Sequence, residues 1–246
     1  MTRTAFITGA TAGIGEAATR RFVSDGWRVI GTGRRVDRLD RLAAELGDVF
    51  RPLELDMRDT AAFDRLATDV GPIDLLINNA GLAPPMSVLQ DAEQDPIDNV
   101  IETNIAGLVA LTRAMLPGLI ERKGAVINLS SVAATYPYKG GAVYAGTKAF
   151  VRQFTLGLRC DLAGTGVRVT SIEPGMVETE FTLVRTGGDQ AASDALYADM
   201  GPMTAQDIAN TIHWVATQPP HLNINALELM PVTQSWAGFA VTRDET

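Results

Sequence analysis

Tyr144 and Lys148 stand four residues apart in VYAGTKAF, residues 143–150. On a helix this spacing puts both side chains on one face, so a phenol and an ammonium address a common point. A free phenol, with a pKa of about 10, is a poor base at neutral pH. A cation one turn away favours the phenolate, and such a pair can take a proton from a hydroxyl or return one to a carbonyl oxygen. Ser131 lies 13 residues before Tyr144, at the end of NLSS, and offers a hydroxyl to the same oxygen. A surface Tyr and Lys that happen to be helix neighbours would share this spacing, so the surrounding elements must decide.

A second constellation suits anions. TGATAGIG, residues 8–15, follows a short apolar run and opens a helical pattern. Glycine there lets the backbone approach a pyrophosphate, which then faces the free N–H groups and positive dipole end of the helix. The spacing is longer than the G-x-G-x-x-G fingerprint. About twenty residues on, a site for NAD places an acid for the ribose 2′-hydroxyl. Here residues 31–35 read GTGRR, without a carboxylate, and Arg34 and Arg35 suit the dianionic 2′-phosphate of NADP. Because Arg38 and Arg41 follow, a solvated basic helix start is the competing reading.

The elements needed to hold these groups are present in alternation. Ala5–Thr8, Arg28–Gly31, Leu53–Asp56, Leu75–Asn78, Ala125–Leu129, Val167–Ile172 and Ile224–Met230 read as buried strands. Helical periodicity runs through Gly13–Asp25, Asp37–Leu46, Asp59–Val70, Val100–Glu121, Ala142–Leu162 and Thr204–Ala216. The pattern predicts an α/β fold, a parallel sheet with helices on both faces. No repeat or composition break divides the 246 residues, so a single domain over 1–246 is expected. Residues 181–203, with Gly187 and Gly188, read as an irregular flap.

Composition narrows the partners. A net charge of −8 argues against a nucleic-acid backbone. Cys160 is the only cysteine, which excludes an intrachain disulfide and fits a reducing cytoplasm, and His213 and His221 stand apart from any metal-ligand grouping. No leader is read at the start and no apolar stretch is expected to reach membrane-spanning length.

TGATAGIG at 8–15, NNAG at 78–81, TNIAG at 103–107, NLSS at 128–131, YAGTK at 144–148 and EPGMV at 173–177 together resemble the short-chain dehydrogenase/reductase family, in order and spacing, from residue 4 to about 231. The resemblance implies a Rossmann-type doubly wound parallel sheet of about seven strands. It implies Tyr144 as catalytic acid/base, Lys148 lowering its pKa and holding the nicotinamide ribose, Ser131 on the substrate oxygen and Asn104 supporting a proton-relay water. Gly9, Ala10, Thr11, Ala12, Gly13 and Ile14 would cradle the pyrophosphate. Asp56 and Met57 would flank the adenine, Asn79 would meet its ribose, and Pro174, Gly175, Val177 and Thr179 would line the nicotinamide side. Asp-Met stands where the family more often has Asp-Val. Asn104 is also a poor helix former inside a helical pattern, a misfit that often marks function.

The finer wording, GRR, VYAGTKAFVRQF, NINALELMPVTQS and WAG, is similar to the NADP-dependent 3-hydroxy acid dehydrogenases. These oxidise L-allo-threonine and serine at the 3-hydroxyl and reduce malonic semialdehyde, and relatives pair their long helices into homotetramers. Such a substrate keeps a carboxylate near the reacting oxygen, which calls for a second cation because Lys148 is committed to the ribose. In ETEFTLVRTGGD, residues 178–189, Arg185 is the sole cation, and flap closure would carry its guanidinium onto the carboxylate. An exposed Arg185 paired with Glu180 or Asp189 is the alternative. Two other functions compete: a ketoreductase for acyl-carrier-protein thioesters, which would want a basic docking face, and a non-catalytic NADP-binding sensor. The tail GFAVTRDET matches nothing assignable.

Overall fold

The computed structural model describes residues 2–235, so the WAG motif and the tail after it lie outside the described residues. The first half runs β1 (Thr4–Thr8), α1 (Gly13–Ser24), β2 (Arg28–Gly33), α2 (Val36–Leu46), β3 (Phe50–Glu54), α3 (Phe63–Val70), β4 (Leu75–Asn78), α4 (Gln94–Ile101) and α5 (Leu108–Arg122). It continues through β5 (Ala125–Leu129), α6 (Ala142–Asp161), β6 (Arg168–Pro174), β7 (Val177–Glu178), α7 (Glu180–Arg185), α8 (Gln190–Ala195), β8 (Met203–Thr204), α9 (Ala205–Ala216) and β9 (Ala226–Leu229). Seven parallel strands form one sheet in the order β3-β2-β1-β4-β5-β6-β9. The chain reverses its direction of growth between β1 and β4, which opens a crevice at the carboxyl ends of those strands.

Alternation along the strands sorts the core into two layers. Ala5 and Ile7 pack on one face with Phe22, Leu39, Ile208 and Ile212, while Phe6 packs on the other with Leu111, Met115, Leu119 and Leu158. The third strand lies upstream of the expected Leu53–Asp56. Pairing decides its position: Phe50 sits opposite Val29 and Pro52 opposite Gly31. The Phe50 ring occupies the space beside Gly31, where a Cβ would stand only 2.4 Å from the ring.

Two further expectations are corrected. Residues 181–203 are not irregular throughout, since they hold most of α7, all of α8 and the start of β8, which pairs with β7. Tyr197 pins this segment, donating to the Val177 carbonyl at 2.9 Å and meeting the Thr182 hydroxyl. Gln94–Arg122 is a 29-residue helical run apolar enough by length and composition to cross a membrane, although 50% of that apolar window is buried inside the protein. Leu108, Leu111, Met115 and Leu119 make it a core helix packed on the sheet. His213 joins α9 to α1 through Asp25 Oδ2 at 2.9 Å, with the Arg21 guanidinium 3.2 Å from its Nδ1.

Candidate active site

The crevice is a cleft of about 1190 Å³ that reaches from the first turn of α1 to the loops around α6 and α7. Gly9 and Gly13 adopt φ of +69° and +54°, conformations that favour glycine. Gly15 is needed for contact, because a Cβ there would lie 2.2 Å from the Gly9 carbonyl oxygen. The turn is braced from β4: Thr8 Oγ1 accepts from the Asn79 and Ala80 amides at 3.0 and 2.9 Å, and Asn79 Nδ2 donates to the Thr8 carbonyl at 2.9 Å. Gly9, Thr11, Ala12, Gly13 and Ile14 line the cleft. Ala10 does not. It is fully buried, and its amide donates to the Thr32 carbonyl at 2.8 Å, so it supports the cradle from behind. Asn79 lines the cleft, but its amide nitrogen is engaged with the turn.

At the end of β2, Arg34 is exposed on the cleft wall and Arg35 reaches Thr11 Oγ1 through Nε and Nη2 at 3.3 and 3.2 Å. Arg38, one turn into α2, points to the same corner and donates to the Thr11 carbonyl at 3.3 Å. Both Arg35 and Arg38 hold Glu180, the first residue of α7. Arg38 first, and Arg35 with it, keep the Glu180 carboxyl below its ordinary pKa. Asp56 and Met57 line the adjoining wall, where Asp56 grips Arg58 at 2.6 Å and its carboxyl is held at about 2, chiefly by that hydrogen bond.

The reacting groups converge at the far end. Tyr144 stands in the first turn of α6 and Lys148 one turn later, both in the cleft wall. Lys148 is buried and donates to the Leu129 carbonyl at 2.7 Å, leaving Nζ 5.8 Å from the Tyr144 ring centroid. Ser131 follows β5, and its hydroxyl donates to the Pro174 carbonyl at 3.3 Å and accepts the Ala133 amide at 3.1 Å. Buried polar side chains fix the supporting helices to the sheet. Asn78 donates to Thr112 and Asn128 at 2.9 and 2.8 Å, and Asn128 donates to Thr155 at 2.9 Å.

The expected lowering of the Tyr144 pKa is reversed. Burial pushes the phenol up to about 12, against the opposing hydrogen bond from Ser131 and the nearby Arg185 charge. The same burial pulls Lys148 down to about 8. At both groups desolvation is the largest cause, disfavouring the phenolate at Tyr144 and the ammonium at Lys148.

Asn104 lies in a π-helical segment, Glu102–Gly107, between α4 and α5. The π segment interrupts the regular helix expected over Val100–Glu121, at the residue whose helix misfit is read as a mark of function. Its side chain is buried and committed: Oδ1 accepts the Leu82 amide at 2.8 Å, while Nδ2 donates to the Leu82 carbonyl at 2.8 Å and Thr147 at 3.1 Å. It ties α6 to the loop after β4 and is not among the residues that line the cleft, where the water relay expected of it would stand.

Arg185 points into the cleft, with its guanidinium carbon 5.6 Å from the Tyr144 ring centroid and 5.4 Å from that of Tyr138. Its Nε and Nη2 are buried without a hydrogen-bond partner among the described residues. The Glu180 carboxylate engages the arginines of α2 instead. Pro174, Gly175, Val177 and Thr179 line the wall between Ser131 and α7, and Phe181 packs against Tyr144 with ring centroids 5.7 Å apart. Sequence reasoning missed Arg38, Tyr138, Glu180 and Phe181. Arg38 carried a signal, standing three residues after Arg35 at the start of a helix. The other three are brought in by tertiary contacts alone.

Residues 3–187 match the family model described as short chain dehydrogenase. The chain is 60% identical to serine 3-dehydrogenase of Rhizobium radiobacter, over 99% of this chain and 100% of that protein. It is 50% identical to the NADP-dependent 3-hydroxy acid dehydrogenase YdfG of Escherichia coli (strain K12), over 96% and 98% of the two chains. Among solved structures it is similar to the closed form of serine dehydrogenase complexed with NADP+, with a TM-score of 0.95 and 49% identity over 98% of this chain and 100% of that one.

Proposed function

The chain belongs to the short-chain dehydrogenase family, and from that premise we propose that it transfers a hydride between NADP and the 3-carbon of a small 3-hydroxy acid of the L-allo-threonine, serine or 3-hydroxypropionate type. The observation that carries this reading is the juxtaposition of Tyr144 with Arg185, a proton donor beside a guanidinium whose buried Nε and Nη2 have no hydrogen-bond partner among the described residues. A substrate with a carboxylate next to its reacting carbinol satisfies both. Mixing the protein with NADP+ and L-allo-threonine or serine and following absorbance at 340 nm tests it, and absence of reduction with every such acid would overturn it.

The residues present fit the dinucleotide: a cradle closed to side chains at Gly15, free amides at the start of α1, and arginines at the end of β2. When bound, NADP supplies the hydride acceptor or donor. Ser131 and Tyr144 hold the substrate oxygen, and the Tyr144 hydroxyl gives or takes its proton. Lys148 anchors the ribose and supplies positive potential beneath the phenol. Arg34 and Arg35 read the 2′-phosphate. The Arg34→Ala, Arg35→Ala double variant is expected to lose most of a preference for NADP over NAD of ~10²-fold, two charge-assisted hydrogen bonds being removed. Equal kcat/KM of the parent protein with both cofactors would contradict this.

The pH dependence follows from Tyr144 and Lys148. Oxidation requires phenolate and ammonium together, the minor protonation state of a pair whose pKa values are about 12 and about 8. That population rises with pH up to about 8 and is then level. Reduction requires phenol and ammonium, so it is level below about 8 and falls above. Both kcat/KM profiles are expected to bend at the same pH, and a reduction profile that stays flat well into the alkaline range would count against the assignment.

The intact Ser131, Tyr144 and Lys148 set disfavours a non-catalytic NADP sensor, and a net charge of −8 disfavours docking of an acidic carrier protein. The proposed setting is the cytoplasm. The proposed assembly is a homotetramer, supported by apolar side chains left exposed on the long helices, among them Ile101, Ile120 and Phe150. Light scattering is expected to give a mass near four times 26.3 kDa, and a monomer would refute the assembly.

A further inference from the structure

Helix α7 has the two ends of the cleft in its grip. At its start, one Glu180 carboxylate takes Arg35 Nη1 at 2.9 Å and Arg38 Nη1 at 2.8 and 2.7 Å. Five residues on, Arg185 lies against the Tyr144 ring, and Phe181 packs on the same ring. An anion from the substrate-side helix therefore sits among the cations that face the 2′-phosphate position. Nothing in the opening of α7 demands a carboxylate for helix formation, because Thr179 already caps it by accepting from the Phe181 amide.

We propose that Glu180 is a positioning and specificity-determining residue: it latches α7 over Tyr144 by bridging Arg35 and Arg38, and it competes with the 2′-phosphate for the Arg35 guanidinium, the one partner that the two share. The proposal rests on the reading of the β2 corner as a 2′-phosphate site. It makes coenzyme and substrate selection interdependent. The latch holds Arg185 where a substrate carboxylate would meet it, while its negative charge moderates the affinity for NADP. Glu180 is about two-fifths exposed, with a side-chain exposure of 43%, so the latch is sensitive to salt.

The test compares Glu180→Gln and Glu180→Asp with the parent full-length protein, using calorimetric titration with NADP+ and NAD+ and steady-state kinetics on the 3-hydroxy acid. Glu180→Gln is expected to bind NADP+ about 3- to 10-fold more tightly with no matching gain for NAD+, because a like charge beside the phosphate is gone. Its KM for the acid is expected to rise about 10-fold, more than kcat falls, because α7 is no longer tethered. Raising salt should increase the parent's KM for the acid and leave that of Glu180→Gln nearly level, a response that loss of general packing would not give. Glu180→Asp keeps the charge and is expected to hold NADP+ affinity near the parent value. If Glu180→Gln, folded by circular dichroism, matches the parent in NADP+ affinity and in KM for the acid, the latch is wrong. Should the parent itself show no preference for NADP+ over NAD+, it is the 2′-phosphate reading that fails.

Discussion

Tyr144→Phe is expected to lower turnover by at least ~10³-fold while NADPH binding persists, because only the proton carried at the reacting oxygen is lost. The ring can stay in place. Phe181 packs on it at 5.7 Å and the Lys148 ammonium stays anchored on the Leu129 carbonyl at 2.7 Å, contacts that do not involve the phenol oxygen. The cradle lies at the other end of the cleft and shares no hydrogen bond with Tyr144 among those described. The check is NADPH fluorescence titration beside turnover with a 3-hydroxy acid. Turnover within tenfold of the parent would remove Tyr144 from the proton-transfer role.

Arg185→Ala should then separate acids from their neutral analogues. Two buried nitrogens of the Arg185 guanidinium have no hydrogen-bond partner among the described residues, and a substrate carboxylate would supply one. Removing a bidentate contact from a closed site costs about 2 to 4 kcal/mol, or about 30- to 1,000-fold in kcat/KM on the acid. The corresponding methyl ester should lose far less. A smaller loss common to both substrates is expected because the Arg185 charge also lowers the Tyr144 pKa. Equal losses on acid and ester, or no loss on the acid, would show that Arg185 does not read the carboxylate.

Much of the architecture was determined by the sequence alone. Short apolar runs separated by amphipathic stretches specify a parallel sheet, because strands buried on both faces must be apolar throughout and their connections must cross over. The glycine-rich turn and the Tyr144–Lys148 spacing belong to this class, since each depends on residues within a few positions of one another. Four features were decided only in three dimensions. Pairing with Gly31 moved the third strand to Phe50–Glu54. Packing of Tyr197 under α7 ordered a stretch whose composition reads as irregular. Burial reversed the Tyr144 shift that the neighbouring ammonium alone predicts. Finally, Glu180 was drawn to Arg35 and Arg38, more than 140 residues away in the chain. Desolvation and long-range ion pairing depend on which chain segments meet. Local spacing carries no record of that, so these properties of the cleft came from the fold.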